Sequence, residues 1–341
     1  MATIEDVAKR AGVSAMTVSR VLNNSGYIGE KTREKVELAI AELGYVPNAL
    51  ARSLRFKTTH TVALVLTDIT NSYFTTVARG VEDMANARDF TVMFANTDES
   101  PDKEMKYLSV LAQKQVDGVL LVPAFSSPDP ITFLRARGIP VVVLDRRIPG
   151  VSVDTVRTDS VRGAYQLTRH LLDQGHRRIA LLTGPAEIST STDRVAGYKQ
   201  ALFEAGLGEE DAIVRGGSYT MDSGYEQAEW ALAQKPMPTA LFAGNNFIAI
   251  GVLRALRDRG VRVPERMSVV SFDDLPHQSA VEPFLTVVSQ PAYEIGAQAT
   301  ARLFDLLGGK AGDEPIDLVL PAEMIVRRSS GAPRRVRVRA P

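Results

Sequence analysis

No cysteine occurs in the 341 residues. That removes disulfides, thiolate metal sites and cysteine nucleophiles together. Histidine is scarce, with four in all, and His170 and His176 stand six apart across a helix end, which is not a metal-ligand spacing. No apolar run reaches the ~18 residues that a membrane span needs. The opening MATIEDVAKR has no apolar core of a signal peptide, so a cytoplasmic protein is expected. Net charge is also missing, but only in sum. Residues 1–57 carry net +3, residues 327–341 carry six arginines and no acid, and the stretch between them is net −9. A basic head on an acidic body implies that the head meets a polyanion.

Enzyme signatures are missing too. There is no G-x-S-x-G elbow and no H-E-x-x-H pair. SGYIGEKT departs from a phosphate loop because Gly29-Glu30-Lys31 breaks the G-K-[ST] order. What remains is a composition of 45% hydrophobic and 23% charged residues, ordinary for a globular protein. The length points to two or three domains.

Residues 1–46 are helical in pattern and contain no proline. Ile4 to Arg10 reads as a helix capped by Thr3, with Asp6 in the capping-box place. Ala11-Gly12-Val13 is a tight turn, and Ser14 caps a second helix. Thr32 to Leu43 makes a third helix, stopped by Gly44. Two helices, a glycine turn and a supporting helix make a helix-turn-helix. The second helix, SAMTVSRVLN, carries small and hydroxylated residues around one arginine. Slim side chains let a helix backbone approach the major groove. Thr17 and Ser19 suit phosphate oxygens, Ala15 and Met16 suit thymine methyls, and Arg20 suits guanine. A polar three-helix bundle stays open on pattern alone.

From Thr61 the texture changes to alternating strands and helices: TVALVLT, TTVARGVEDMANARD, FTVMFAN, KEMKYLSVLAQKQ, GVLLVPA. The alternation resumes after residue 160, and RGVEDMANARDF echoes AGYKQALFEAGL. Such a pattern predicts parallel sheets built from right-handed crossovers, in two tandem α/β lobes. Ligands in open α/β sheets sit beyond the carboxyl ends of the strands, so a ligand is expected between the lobes.

TIEDVAKRAGVSAMTVSRVLN, followed by TREKVELAIAELGYVPNALARSL, resembles the DNA-binding head of the LacI/GalR family of bacterial regulators. RRIALLTGP, DRVAGYKQAL, GNNFIAIGVLRAL, VRVPERMSVVSFDD and PFLTVV follow in family order, so the resemblance spans about residues 2–328. It implies a helix-turn-helix head (1–46), a hinge helix with its linker (47–59) and a periplasmic-binding-protein-like body (60–328), with a disordered basic tail (329–341). The lobes fall at about 60–158 plus 291–322 and 159–290 plus 323–328. The implied function is sequence-specific repression of transcription. A homodimer would bind a pseudo-palindromic double-stranded operator under the control of a small effector, with no metal or cofactor. A cytoplasmic sugar binder or a sugar-converting enzyme is the alternative.

By the same resemblance Ala15, Met16 and Arg20 read bases, while Ser14, Thr17, Ser19, Asn23 and Tyr27 hold phosphates. Thr3, Asn48 and Ala51 are further DNA contacts, and Leu54 is the wedge that kinks the minor groove. Effector positions map onto Asp68, Tyr73, Phe74, Asp145, Arg194, Tyr219, Asn246 and Asp273. The family often has Asp where this chain has Asn246. With that charge lost near Arg194, and with Arg146 and Arg147 behind Asp145, the expected effectors include sugar acids and sugar phosphates beside plain sugars.

Overall fold

The computed structural model describes residues 2–46, 58–275, 283–312 and 314–333. The chain divides into two compact units, residues 1–59 and 60–341. In the first, α1 (Ile4–Ala11), α2 (Ala15–Leu22) and α3 (Glu30–Leu43) enclose a small core of Val7, Ala8, Val18, Val21, Val36 and Ala39. Asp6 Oδ2 accepts from Thr3 N–H at 2.8 Å, and Thr3 Oγ1 accepts from Asp6 N–H at 3.2 Å, closing the capping box. Gly12 takes φ 67° at the end of α1, and Gly44 takes φ 56° at the end of α3. Helix α3 begins at Glu30 rather than Thr32, because the extended Gly29 leads directly into it. Leu38 and Leu43 of this helix are exposed. The expected hinge helix, with Asn48, Ala51 and Leu54, lies outside the described residues.

The second unit holds two six-stranded sheets. The first contains β1 (Thr61–Leu66), β2 (Thr91–Asn96), β3 (Gly118–Leu121), β4 (Val141–Leu144), β5 (Thr155–Thr158) and β11 (Asp317–Leu320). Their order is β11-β5-β4-β3-β1-β2, all parallel. The second contains β6 (Ile179–Thr183), β7 (Ile213–Gly216), β8 (Ala240–Ala243), β9 (Ser268–Phe272), β10 (Thr286–Ser289) and β12 (Glu323–Ile325). Its order is β12-β10-β9-β8-β6-β7, and only β12 runs antiparallel. The chain passes from one sheet to the other three times: after Thr158, after Ser289 and after Leu320.

Helices cover both faces of each sheet, which explains the unbroken apolar strands. On β1, Val62, Leu64 and Leu66 face α4 (Ser72–Asn86) and α11 (Ala292–Leu307), while Ala63 and Val65 face α5 (Pro101–Gln113) and α6 (Asp129–Arg135). The second sheet carries α7 (Ser160–Asp173) and α8 (Ser189–Glu204) on one face, and α9 (Met221–Leu232) and α10 (Asn246–Asp258) on the other.

Paired helices approach backbone to backbone at glycines. A Cβ on Gly197 would lie 2.0 Å from the Val161 carbonyl oxygen, and one on Gly80 would lie 2.1 Å from that of Tyr293. Gly197→Ala must therefore push α7 and α8 apart. A loss of about 3 kcal/mol is expected, and a calorimetric melting temperature equal to wild type would contradict this packing.

The basic tail was expected to be disordered from residue 329, and here the structure corrects the expectation. Ser329 is fully buried. Its N–H donates to the Phe284 carbonyl at 2.8 Å, and its own carbonyl accepts from Val269 N–H at 2.8 Å. Its hydroxyl donates to the Val269 carbonyl at 2.6 Å and accepts from Thr286 N–H at 2.7 Å. The Ser-Ser-Gly run thus lies beside β9 and β10, with Ser329 as its buried member. Residues 334–341 lie outside the described part.

Candidate functional site

In the head, α2 presents a slim exposed surface. Met16 and Arg20 are exposed, while Ala15, Thr17 and Ser19 are half-buried. Ser14 Oγ accepts from Thr17 N–H at 3.2 Å, and the two hydroxyls lie 2.9 Å apart. Asn23 Nδ2 donates to the Ser19 carbonyl at 2.7 Å, tying off the end of the helix. Tyr27 projects into solvent at 97% exposure. Thr3 is exposed, and its hydroxyl is engaged by Asp6. Val18 and Val21 anchor the opposite face of α2 in the core, which aims its polar side outward.

In the body, a cavity of about 300 Å³ opens between the two sheets' loops. It lies beyond the carboxyl ends of the strands, as the topology requires. Asp68, Tyr73, Phe74, Asp145, Arg194, Tyr219 and Asp273 all line it. Tyr73 Oη donates to Asp145 Oδ1 at 2.8 Å. Burial, with the Asp145 and Asp273 charges, holds the Tyr73 phenol well above its usual range. Tyr219 Oη lies 2.7 Å from Ser191 Oγ and 3.1 Å from Thr190 Oγ1. Gln290 Nε2 donates to Asp273 Oδ1 at 2.7 Å. Burial pushes the Asp273 carboxyl up to about 6, although Arg194 and Gln290 pull it down.

Asp145 and Asp273 occupy matching places, each one residue beyond a central strand. Both take the left-handed backbone, at φ 64° and 66°. Non-glycine residues in that region cost energy and collect at functional sites, and aspartate tolerates it better than most.

Arg194 stacks its guanidinium 3.9 Å over the Phe272 ring and donates to the Gly244 carbonyl at 2.6 Å. Arg194 Nε, Thr67 Oγ1 and Gln290 Oε1 are buried without a hydrogen-bond partner among the described residues. All three residues line the cavity, so donors and acceptors remain for a guest.

Two expectations need correction. Asn246 does not line the cavity. It is fully buried, and its amide pairs with Asn71. The neighbouring Asn245 lines the cavity instead, while its Oδ1 caps α10 by accepting from Ile248 N–H at 2.9 Å. The helix start turns one side chain of the Asn-Asn pair inward and the other aside. Nor do Arg146 and Arg147 offer free positive charge. Arg146 grips both oxygens of Glu99 at 2.6 Å and donates to the Pro123 carbonyl at 2.8 Å. Burial opposes its charge, but Glu99 and Asp145 hold it protonated above the usual range. Arg147 is paired with Asp193.

Sequence reading missed Asn71, Glu99, Asn245 and Gln290. Asn245 and Gln290 follow strand ends closely and Asn71 caps a helix, which are usable signals. The Glu99–Arg146 pair joins residues 47 apart in sequence and leaves no local trace. Behind that pair, Glu104 is buried and accepts from Ala124 N–H at 2.7 Å. Burial raises its carboxyl to about 7, against the pull of Ala124 and Arg146. A carboxyl whose folded value exceeds its unfolded one costs stability when ionised. That cost is absent below the ordinary value of 4.5 and complete above about 7. Glu104→Gln carries no such cost. Its melting temperature should gain on wild type as pH rises through that window and then level, by on the order of 5 °C. Identical curves at every pH would contradict the burial account.

Residues 3–48 match the bacterial regulatory proteins of the lacI family, and residues 59–328 match the periplasmic binding proteins and sugar binding domain of that family. The chain belongs to the LacI family of bacterial regulatory proteins. It is 38% identical to the HTH-type transcriptional regulator DegA of Bacillus subtilis, over 96% of this chain and 98% of that protein. Among solved structures, the lac repressor dimer bound to operator and the anti-inducer ONPF is similar with TM-score 0.86 and 28% identity, over 97% of this chain and 99% of that one. The complex of the transcriptional regulator CelR with cellobiose gives TM-score 0.74 and 35% identity, over 96% and 100%. As a LacI-family member, the protein is a DNA-binding transcriptional regulator; the relatives it matches are regulators and not enzymes. Among the described residues no helix is long and apolar enough to cross a membrane.

Proposed function

We propose that the protein is a homodimeric repressor acting in the cytoplasm. Its head reads a pseudo-palindromic operator, and a neutral sugar or sugar derivative in the body cavity controls it. The cavity carries the reading. Five carboxylates (Asp68, Asp98, Glu99, Asp145 and Asp273) line it against two guanidiniums, Arg146 and Arg194. Glu99 is paired with Arg146 and Asp98 with Lys103, which leaves Asp68, Asp145 and Asp273 against Arg194. An anionic group ~5 Å from an unneutralised carboxylate would be repelled by roughly 3 kcal/mol. Sugar acids and phosphates are therefore disfavoured, against the expectation drawn from the arginines alone. A polyol suits the site: Tyr73, Phe74 and Tyr219 supply flat faces, while Asp145, Arg194, Asn245 and Asp273 offer hydrogen bonds to hydroxyls. The volume lies at the small end of ligand pockets, which favours one or two sugar rings. The CelR complex holds cellobiose, a neutral sugar.

In this reading α2 enters the major groove with Ala15, Met16 and Arg20 toward bases. Thr3, Ser14, Thr17, Ser19, Asn23 and Tyr27 lie toward phosphates, and paired hinge segments with Asn48, Ala51 and Leu54 bend the centre. The three passages between sheets serve as the hinge of two lobes, at about 60–158 plus 291–322 and 159–290 plus 323–328. A thermal-shift screen tests the effector. A neutral sugar at 100 times its dissociation constant should stabilise the protein by about 2.7 kcal/mol. Stabilisation by sugar phosphates alone would overturn the choice of a neutral ligand.

A further inference from the structure

The two lobes meet beside the cavity through a pair of side-chain amides. Asn71 caps α4 on the first lobe, and Asn246 opens α10 on the second. Asn71 Nδ2 donates to Asn246 Oδ1 at 3.2 Å, and Asn246 Nδ2 donates back to Asn71 Oδ1 at 2.9 Å. Each oxygen also accepts a backbone N–H at its own helix start: Tyr73 N–H at 3.0 Å and Phe247 N–H at 2.9 Å. Those two donors dictate which end of each amide is oxygen. Turning either amide over would set an NH2 group against an N–H. Each helix thus presents one amide in a fixed sense, and the ring closes only when the lobes stand at this separation.

Away from the connecting segments, the other bonds between the lobes among the described residues differ in kind. Ser126 Oγ donates to the Glu187 carbonyl, Arg147 N–H donates to Ser189 Oγ at 2.8 Å, and the Arg147 side chain pairs with Asp193. The Arg147 side chain is 41% exposed, so water competes there. Asn71 and Asn246 are buried, at 5% and 0% exposure, and their bonds are shielded from that competition.

We propose that Asn71 and Asn246 form a clasp that sets the balance between closed and open lobes. Asn246 is then a positioning residue that governs effector affinity without touching the effector, because apparent affinity scales with the fraction of competent conformer. The inference rests on the reading of the cavity as the effector site.

Asn246→Asp tests it in the full chain. One oxygen of the new carboxylate can keep Phe247 N–H and the Asn71 amide. The other faces Asn71 Oδ1 with no proton between them. Adding a proton there rebuilds the ring as an acid–amide pair. The chain has no native cysteine, so Lys106→Cys and Glu210→Cys, both exposed and one on each lobe, can carry spin labels. Labelled chain diluted into unlabelled chain reports the distance within one molecule. Asp68, Asp145, Asp273, Arg194 and Tyr73 share the cavity. The unsubstituted labelled protein contains them all, so its profile isolates the response of the new carboxyl.

The expected result is one distance at all pH in that reference protein. Asn246→Asp should gain a longer-distance population at about pH 8.5, with the open fraction raised on the order of tenfold, and lose it at about pH 5.5. An unchanged distance at both pH values overturns the clasp, as does a lengthening that acid does not reverse. If that variant does not fold, Asn246→Leu should show the longer population at both pH values, and a reference-like distance there overturns the clasp. No effector is used, so failure here leaves the cavity reading standing, and an empty sugar screen leaves the clasp standing.

Discussion

Arg194→Ala is expected to abolish the response to effector while operator affinity in its absence stays within about twofold of wild type. Arg194 is buried, flat on Phe272, and held by the Gly244 carbonyl, so its guanidinium is fixed before any ligand arrives. A prearranged buried cation is the kind of anchor whose loss costs a hundredfold or more, roughly 3 kcal/mol or above. Removal also takes a counter-charge from Asp273, which should then take up a proton more readily. Titration calorimetry with the sugar found by thermal shift, beside an operator mobility assay, separates the two readouts. Arg194→Lys keeps the charge and loses the planar fork, and should fall between. A normal effector response in Arg194→Ala would falsify the cavity assignment.

The second large effect belongs to the head. Arg20→Ala should weaken operator binding by about 1–3 kcal/mol per half-site and relax preference at one base pair of each. Arg20 is exposed on α2 while Val18 and Val21 lock the other face, so truncation should leave the melting temperature unchanged. Binding by the wild-type chain should fall steeply with salt as counterions are released. A loss equal on all sequences, with a shallower salt slope, would make Arg20 a phosphate contact instead.

Much of this was legible because local chemistry and fold agreed. Thr3, Gly12, Ser14 and Gly44 mark helix ends by their own hydrogen bonds and backbone angles, and each behaves that way here. Apolar runs such as TVALVL announce strands covered on both faces. The errors arose where a partner far along the chain decides the outcome. Arg146 reads as spare charge until Glu99 is placed beside it. Asn245 and Asn246 are chemically identical neighbours, and only the first turn of α10 tells which faces the cavity. Ser329 reads as the start of a loose tail until β9 and β10 close around it.

The threefold passage of the chain between sheets has a consequence for biogenesis. Neither lobe is a continuous segment, and β11 and β12, the outer strands, come last. While the ribosome still holds residues 317–325, both sheets lack an edge strand and expose unpaired ladder groups to the crowded surroundings. On this topology neither half is complete until residues 317–325 emerge, so the body is expected to reach its native form late in synthesis.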